Sequence, residues 1–362
     1  MKEIFYHNED RALTKNGRVV LVVLRPPELS QHLAESYLEE LDNLVDTLGF
    51  TSVEQMVVPI KKVSPKYLVG SGKAEEIRDV AEAHEAECIV FDDTISPAQQ
   101  RNWERLTEKC VIDRQEVILE IFSRRARTKE AILQVALARM EYSLPRLTRA
   151  WTHLSRQRGG TRGTRGEGET QLENDRRIVL KKITKLKRSL EKLESQREVQ
   201  RKQRTGVPLP TGAIVGYTNA GKSSLLNALT EASVQVENRL FATLDPTTKK
   251  MALPGGTEIL LTDTVGFIRK LPHDLIDAFH STLEEAVVAD FLIHVVDASN
   301  PEAEHHIETT QEVLAELGAA DTPTLLVFNK TDLCNEPYIL ESLERRYPEA
   351  LFVSVARGRG LE

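Results

Sequence analysis

GAIVGYTNAGKSS, residues 212–224, decides how the second half of this chain folds. A short aliphatic strand runs into Gly216-x-x-x-x-Gly221-Lys222-Ser223, and SSLLNALT then opens a helix. Strand, glycine-rich turn and helix follow in the order that a phosphate-binding loop requires. The glycines let backbone N–H groups approach a phosphate chain, Lys222 neutralises its charge, and the Ser223 hydroxyl is a ligand for Mg2+. Tyr217, Thr218, Asn219 and Ala220 complete the loop, and Ser224 follows it.

Toward the C-terminus, EILLTDTVG (258–266) is a buried strand ending in Asp263-Thr264-Val265-Gly266. Its carboxylate can hold Mg2+ through water, and the Gly266 N–H can meet a γ-phosphate. FLIHVVDAS and TLLVFNKTD supply two more aliphatic strands, the second ending in Asn329-Lys330-Thr331-Asp332. An aspartate there accepts both the N1–H and the N2–H2 of guanine, which adenine does not offer, so the motif selects GTP over ATP. Phe241-Ala242-Thr243-Leu244-Asp245 opens FATLDPTTKK, and Thr243 stands where a switch loop supplies the second protein ligand to Mg2+. Ser354-Val355-Ala356, after the strand-like LFV, closes the guanine pocket by backbone contacts in this reading.

Hydrolysis needs an oriented water and stabilised charge on the γ-phosphoryl group. Many GTPases orient that water with a glutamine just after Asp-x-x-Gly, but here the position holds Phe267. The expected catalytic set is therefore Lys222, Thr243 and Gly266, with slow turnover unless a partner helps. Asn219 has two readings, a ligand for K+ against the phosphates or a hydrogen-bonding residue within the loop.

Upstream, the period changes. Leu133, Leu137, Met140, Leu144, Leu147, Trp151 and Leu154 keep a 4-3-4-3 spacing, and Leu172, Val179, Ile183, Leu186, Leu190 and Leu193 do the same with Arg176 in the missed position. Two heptad seams around a short polar loop predict an antiparallel helical hairpin over 126–204. Its tip is RQRGGTRGTRGEGET (156–170), with five glycines and four arginines. Thr170 and Glu173 form a capping box that starts the second arm. Pro145 kinks the first arm or begins a new helix there. Residues 200–210 read as a linker into the third domain, 205–362.

The first domain, 1–125, alternates strand and helix patterns. RVVLVVL, MVVPI, YLVG, CIVF and CVID read as strands. Gly49 stops the first helix, and Ser96 and Pro97 suit the cap and first position of another. This βα alternation implies a small parallel sheet. GSGK at 70–73 lacks the spacing of a phosphate loop and reads as a plain helix start. An ATP-driven helicase activity in this domain stays open, although no complete second phosphate loop is visible.

A chain of 362 residues with 40% apolar and 28% charged residues is an ordinary globular composition with room for two or three domains. Cys88, Cys110 and Cys334 form no CxxC pair, so neither a zinc site nor a disulfide framework is expected. No signal peptide opens the chain, and its longest aliphatic run, VVLVVL, is too short for a bilayer, so a cytoplasmic protein without a stable membrane anchor is expected, as a monomer. The net charge of −7 hides an asymmetry: residues 145–204 hold 18 Lys+Arg against 7 Asp+Glu. A basic block between acidic flanks favours a polyanionic partner. Arg156, Arg158, Arg162 and Arg165 can pair with phosphates or stack on exposed bases, so the tip reads as RNA-binding. A static RNA-binding module with GTP as a structural ligand is the alternative.

GYTNAGKS, FATLDPTT, DTVGFI and NKTD, following SRRARTKEAILQVALARMEYSLPRL and GTRGEGETQLENDRR, resemble the HflX family of GTPases. The resemblance implies an N-terminal α/β domain, a helical hairpin and a Ras-like P-loop GTPase domain. It further implies binding of GTP and GDP with Mg2+, association with the large ribosomal subunit and its ribosomal RNA, and GTP-controlled splitting of stalled ribosomes under stress. The arginine-glycine loop would approach ribosomal RNA near the peptidyl-transferase region. The chain departs from the family pattern in Arg162, Glu167 and Val355. It also ends at Gly360-Leu361-Glu362, where the family continues into a further helix and a small C-terminal domain, so truncation is expected.

Overall fold

RVVLVVLR, an unbroken aliphatic run, is satisfied only as a strand covered on both faces. The computed structural model places it so, as β1 (Arg18–Arg25), with Val19 to Val22 fully buried. The structure describes residues 16–146, 165–204, 209–230, 240–241, 243–270, 285–334 and 336–362. The chain divides into two units, Met1–Arg124 with Ala136–Lys187, and Arg125–Val135 with Arg188–Glu362.

In the first unit, β1, β2 (Thr51–Pro59), β3 (Cys88–Phe91) and β4 (Cys110–Asp113) form a parallel sheet in the order β2-β1-β3-β4. Helices α1 (Gln31–Thr47), α2 (Ser71–Ala83), α3 (Pro97–Thr107) and α4 (Arg114–Arg125) accompany it. The expected helix signals are realised. Ser96 and Gln99 form a capping box ahead of Pro97, and Gly49 takes a φ of 80° after α1. GSGK is a helix start, with Gly70 as the cap of α2.

YLVG, expected as a strand, is instead a local bridge in which Ser64 pairs with Leu68 and Tyr67 with Val69. The stretch from Ser64 to Tyr67 is fastened by α3: Gln99 donates to the Ser64 carbonyl, Asn102 to that of Lys66, and the Trp103 indole to that of Tyr67 at 2.9 Å. With those groups satisfied by side chains, the segment has no need of a sheet neighbour. Cys88 and Cys110, remote in sequence, are partners in register on β3 and β4 and are buried.

Helix α5 (Lys129–Ser143) ends in a 3-10 turn at Leu144–Arg146, as Pro145 required. The Tyr142 hydroxyl and Arg146 hold the buried Asp113 carboxylate at the end of β4. Helix α6 (Arg165–Arg204) follows. Along its expected seam Val179, Ile183 and Leu190 are buried, Leu186 and Leu193 half-buried, and the residues beside them mostly exposed, while the Leu172 side chain lies outside the described residues. Lys187 of α6 pairs with Glu141 of α5 at 2.8 Å. The start of α6 corrects one expectation: Thr170 lies inside the helix, five residues past its first residue, and is not its cap. The helix thus begins within the glycine-bearing stretch, at Arg165. Leu147, Trp151, Leu154 and the tip arginines 156, 158 and 162 lie outside the described residues.

The second unit contains a six-stranded sheet in the order β10-β9-β8-β5-β7-β6. Its strands are β5 (Thr211–Val215), β6 (Thr247–Ala252), β7 (Glu258–Asp263), β8 (Phe291–Asp297), β9 (Thr324–Asn329) and β10 (Leu351–Phe352). All pairings are parallel except that of β6 with β7. Helix α7 (Lys222–Thr230) packs on the face that buries Ile214, Val295 and Val327. Helices α8 (Ala303–Glu316) and α9 (Pro337–Arg346) cover Val296 and Phe328 on the other face. Strand β5 sits between β7 and β8, so the carboxyl end of β5 is a switch point where ligands bind in such sheets.

Candidate nucleotide site

The turn after β5 is shaped by close backbone approach. Gly216 has a φ of 139°, and a Cβ on it would lie 2.2 Å from the Val295 carbonyl oxygen. Gly221 has a φ of 97°, and its Cβ would meet the Asn329 amide at 2.3 Å. Both positions exclude a side chain on two grounds, conformation and space. Between them Asn219 is left-handed, at a φ of 60°, and the loop opens into a cleft of about 680 Å³. Such a volume is typical of small-ligand sites.

The three oxygen groups expected around a divalent cation come together at one corner. Ser223 Oγ lies 2.7 Å from Thr243 Oγ1 and donates to Asp263 Oδ2 at 2.6 Å, and Thr243 Oγ1 donates to the same oxygen at 2.8 Å. The other oxygen, Asp263 Oδ1, is buried without a hydrogen-bond partner. Two hydroxyls, a carboxylate and an unsatisfied carboxylate oxygen make a hard donor set that fits a small divalent cation, with phosphate and water completing it. Among the described residues no group of three or more His, Cys, Asp or Glu side chains is placed to hold a metal ion.

Lys222 is buried and donates to the carbonyls of Gly216 and Tyr217 at 3.1 and 2.8 Å. Burial lowers its pKa to about 8, against the opposing pull of Asp263. Burial also raises the Asp263 carboxyl, against the attraction of Lys222 and the hydrogen bonds from Ser223 and Thr243. The two opposite charges partly offset each other's burial, and a phosphate beside Lys222 would further favour its protonated form.

Gly266 touches the phosphate loop directly: a Cβ there would lie 2.6 Å from Thr218 Cα and 2.9 Å from Lys222 Nζ. Thr218 N–H donates to the Phe267 carbonyl at 2.7 Å, and Phe267 N–H donates to Gly216 at 3.1 Å. The Phe267 ring is fully buried. Thr264 donates to Ile214 at 2.7 Å and is structural, and Val265 is buried. Phe241 N–H donates to Thr218 Oγ1 at 3.0 Å, which holds Phe241 at a φ of 54°. Ala242 lies outside the described residues.

Where the guanine pocket is expected, Asn329 is a brace. Its Nδ2 donates to Ala220 at 3.0 Å, and its Oδ1 accepts from Val355 N at 3.2 Å, so one side chain ties the two loops. Lys330, left-handed at a φ of 62°, pairs with Asp297 at 2.7 Å, and Thr331 donates to the Val353 carbonyl. Asp332 accepts the Ser354 hydroxyl at 2.6 Å. That bond, with Arg357 and Arg359 nearby, holds the Asp332 carboxyl below its ordinary range, which keeps it an acceptor.

Several residues play parts the sequence did not announce. Tyr217 contributes backbone to the loop, but its ring stacks on His306 with centroids 3.7 Å apart, and its hydroxyl accepts Arg269 N–H. Ser354 orients Asp332 with its side chain, where only backbone contacts were expected. Asn227, Ala228 and Leu333 line the cleft beside Ser224 and Ala356. Asn227 follows Ser223 by one helical turn, a spacing that could have indicated it.

Three family models match the chain: GTP-binding GTPase N-terminal over residues 35–123, GTP-binding GTPase middle region over 125–204, and 50S ribosome-binding GTPase over 211–330. The GTPase HflX of Akkermansia muciniphila is 52% identical over 340 residues, covering 92% of this chain and 77% of the relative. The GTPase HflX of Escherichia coli strain K12 is 47% identical over 326 residues, covering 90% and 76%. A solved complex of SsGBP with GDP shares 26% identity at a TM-score of 0.51 and covers 95% of each chain.

Proposed function

The chain belongs to the HflX family of GTPases, and from that premise we propose that it couples GTP hydrolysis to binding of the large ribosomal subunit, splitting or rescuing stalled cytoplasmic ribosomes under stress. The observation that carries the partner is the match of residues 211–330 to a family described as 50S ribosome-binding GTPase. The positive block at 145–204 supports it, since ribosomal RNA is the polyanion such a block would meet. Arg156, Arg158, Arg162 and Arg165 are the proposed RNA contacts.

Within the cleft each residue has a task. Asp332, kept ionised by Ser354, accepts the guanine N1–H and N2–H2, while Asn329 holds the loops on either side at their spacing. Loop N–H groups and Lys222 receive the phosphates, Lys222 exchanging its carbonyl partners for phosphate oxygen. Ser223, Thr243 and, through water, Asp263 would hold Mg2+, which when bound offsets the charge on the phosphates. Gly266 presents its N–H where a side chain would block the approach. Phe267 is packed in the interior and has no group with which to orient water. That task falls to the backbone around Thr243 and Gly266 and to the bound partner, so turnover by the chain alone is slow. GTP turnover measured at saturating GTP, with and without purified large subunits, tests this: acceleration is expected, and equal rates would remove the ribosome from the mechanism.

A further inference from the structure

RARTKE, residues 125–130, lines no part of the nucleotide cleft, yet it reaches the loop that carries Thr243. Thr128 Oγ1 donates to Asp245 Oδ1 at 2.5 Å. The N–H groups of Arg127 and Thr128 donate to Asp245 Oδ2, each at 3.3 Å. All three residues belong to the second unit. The same Thr128 hydroxyl accepts from Ala131 N at 3.1 Å and so caps α5, which places the Asp245 carboxylate at the positive end of a 15-residue helix.

The link from Asp245 to Thr243 is short and stiff. One residue separates them, Leu244, which is 3% exposed and therefore anchored in the interior. Pro246 follows, and a residue before proline is biased to extended backbone, which narrows the conformations open to Asp245. The three Asp245 bonds occur together with the inward position of Thr243, whose hydroxyl is within 2.8 Å of both Ser223 Oγ and Asp263 Oδ2.

We propose that Thr128 is a positioning residue for GTP hydrolysis, holding Asp245 and through it keeping Thr243 turned toward the Ser223 and Asp263 oxygens. The proposal rests on Thr243 acting at that corner. It gives the segment before α5 a role in the reaction: the loop that senses the nucleotide and the first turn of the helix are fastened by one carboxylate. The contact is solvent-exposed, so its worth is at the lower end for charge-assisted hydrogen bonds, and the expected loss of kcat is roughly three- to tenfold.

The test uses the full chain with Thr128→Ala, Thr128→Ser, Asp245→Ala, the Thr128→Ala/Asp245→Ala double variant and Thr243→Ala. Thr128→Ala and Asp245→Ala are expected to lower kcat with the KM for GTP little changed, Thr128→Ser to restore kcat, and the double variant to be no slower than either single. A second readout needs no turnover: backbone amides of 127–131 should exchange faster in Asp245→Ala than in the unsubstituted protein. Normal kcat in Thr128→Ala, with Thr243→Ala impaired, overturns the proposal and leaves Thr243 in place. Additive losses in the double variant overturn it as well, because two independent destabilisations would account for them. Normal kcat in Thr243→Ala removes the premise itself.

Discussion

His294 on β8 stands opposite Val215 of β5, 2% exposed, with no hydrogen-bond partner for its Nε2. Burial first, and then the charge on Lys222, pushes its pKa down from 6.5 to about 4. The sign of the consequence follows from proton uptake. Below 6.5 the unfolded chain binds a proton that the folded chain refuses, so stability is lost progressively as pH falls from 6.5 toward 4. At pH 5 that loss amounts to about 2 kcal/mol, and at pH 7 it is nearly absent. His294→Leu keeps an apolar group of similar bulk in place and removes the titration. The assay is amide hydrogen exchange of β8 and β9, with opening free energies taken from the slowest amides at pH 7 and pH 5. Carboxylates act alike in both proteins, so the comparison isolates the histidine: the unsubstituted chain should lose about 2 kcal/mol more than the variant between the two pH values. Equal losses would show that His294 is not held neutral by burial and would refute the reasoning.

Asp332→Asn replaces the proposed acceptor for the guanine N1–H with a side chain that is half donor, and GTP affinity should fall by roughly two orders of magnitude in nucleotide titrations if two charge-assisted bonds are lost. Unchanged affinity would remove Asp332 from guanine recognition. Replacing Arg156, Arg158, Arg162 and Arg165 with alanine should weaken binding to large subunits and flatten its dependence on salt while leaving GTP affinity intact, because each lost phosphate contact removes part of the counterion release. Ribosome binding of unaltered strength and salt slope would return the arginine-glycine stretch to the role of a linker.

What could be read from residues alone was chemistry that is local in sequence. Gly216 to Ser223, Asp263 to Gly266 and Asn329 to Asp332 each end a buried strand, so their positions at one edge of a parallel sheet followed from the strand pattern. The α6 seam was equally accessible, because Val179, Ile183 and Leu190 keep a helical period over three turns. What escaped were contacts closed through space. YLVG has the composition of a strand, but Trp103 takes its Tyr67 carbonyl, and Gln99 and Asn102 take those of Ser64 and Lys66 just before it, from some 35 residues away. Ser354 with Asp332, Tyr217 with His306, and Thr128 with Asp245 likewise join side chains that no short motif contains. The first turn of α6 escaped for another reason. Glycines at 166 and 168 disfavour a helix interior and read as loop, yet the helix already begins at Arg165.

The central claim is that nucleotide state controls attachment to the ribosome, and a ligand can shift an equilibrium only through differential affinity for its two states. The most direct measurement is the affinity of this chain for purified large ribosomal subunits at fixed salt, with GDP and then with a non-hydrolysable GTP analogue. Tighter binding with the analogue, by about tenfold or more, is the predicted result and corresponds to about 1.4 kcal/mol of coupling. Equal affinity in the two nucleotide states would contradict the account and leave a static RNA-binding protein with GTP as a structural ligand.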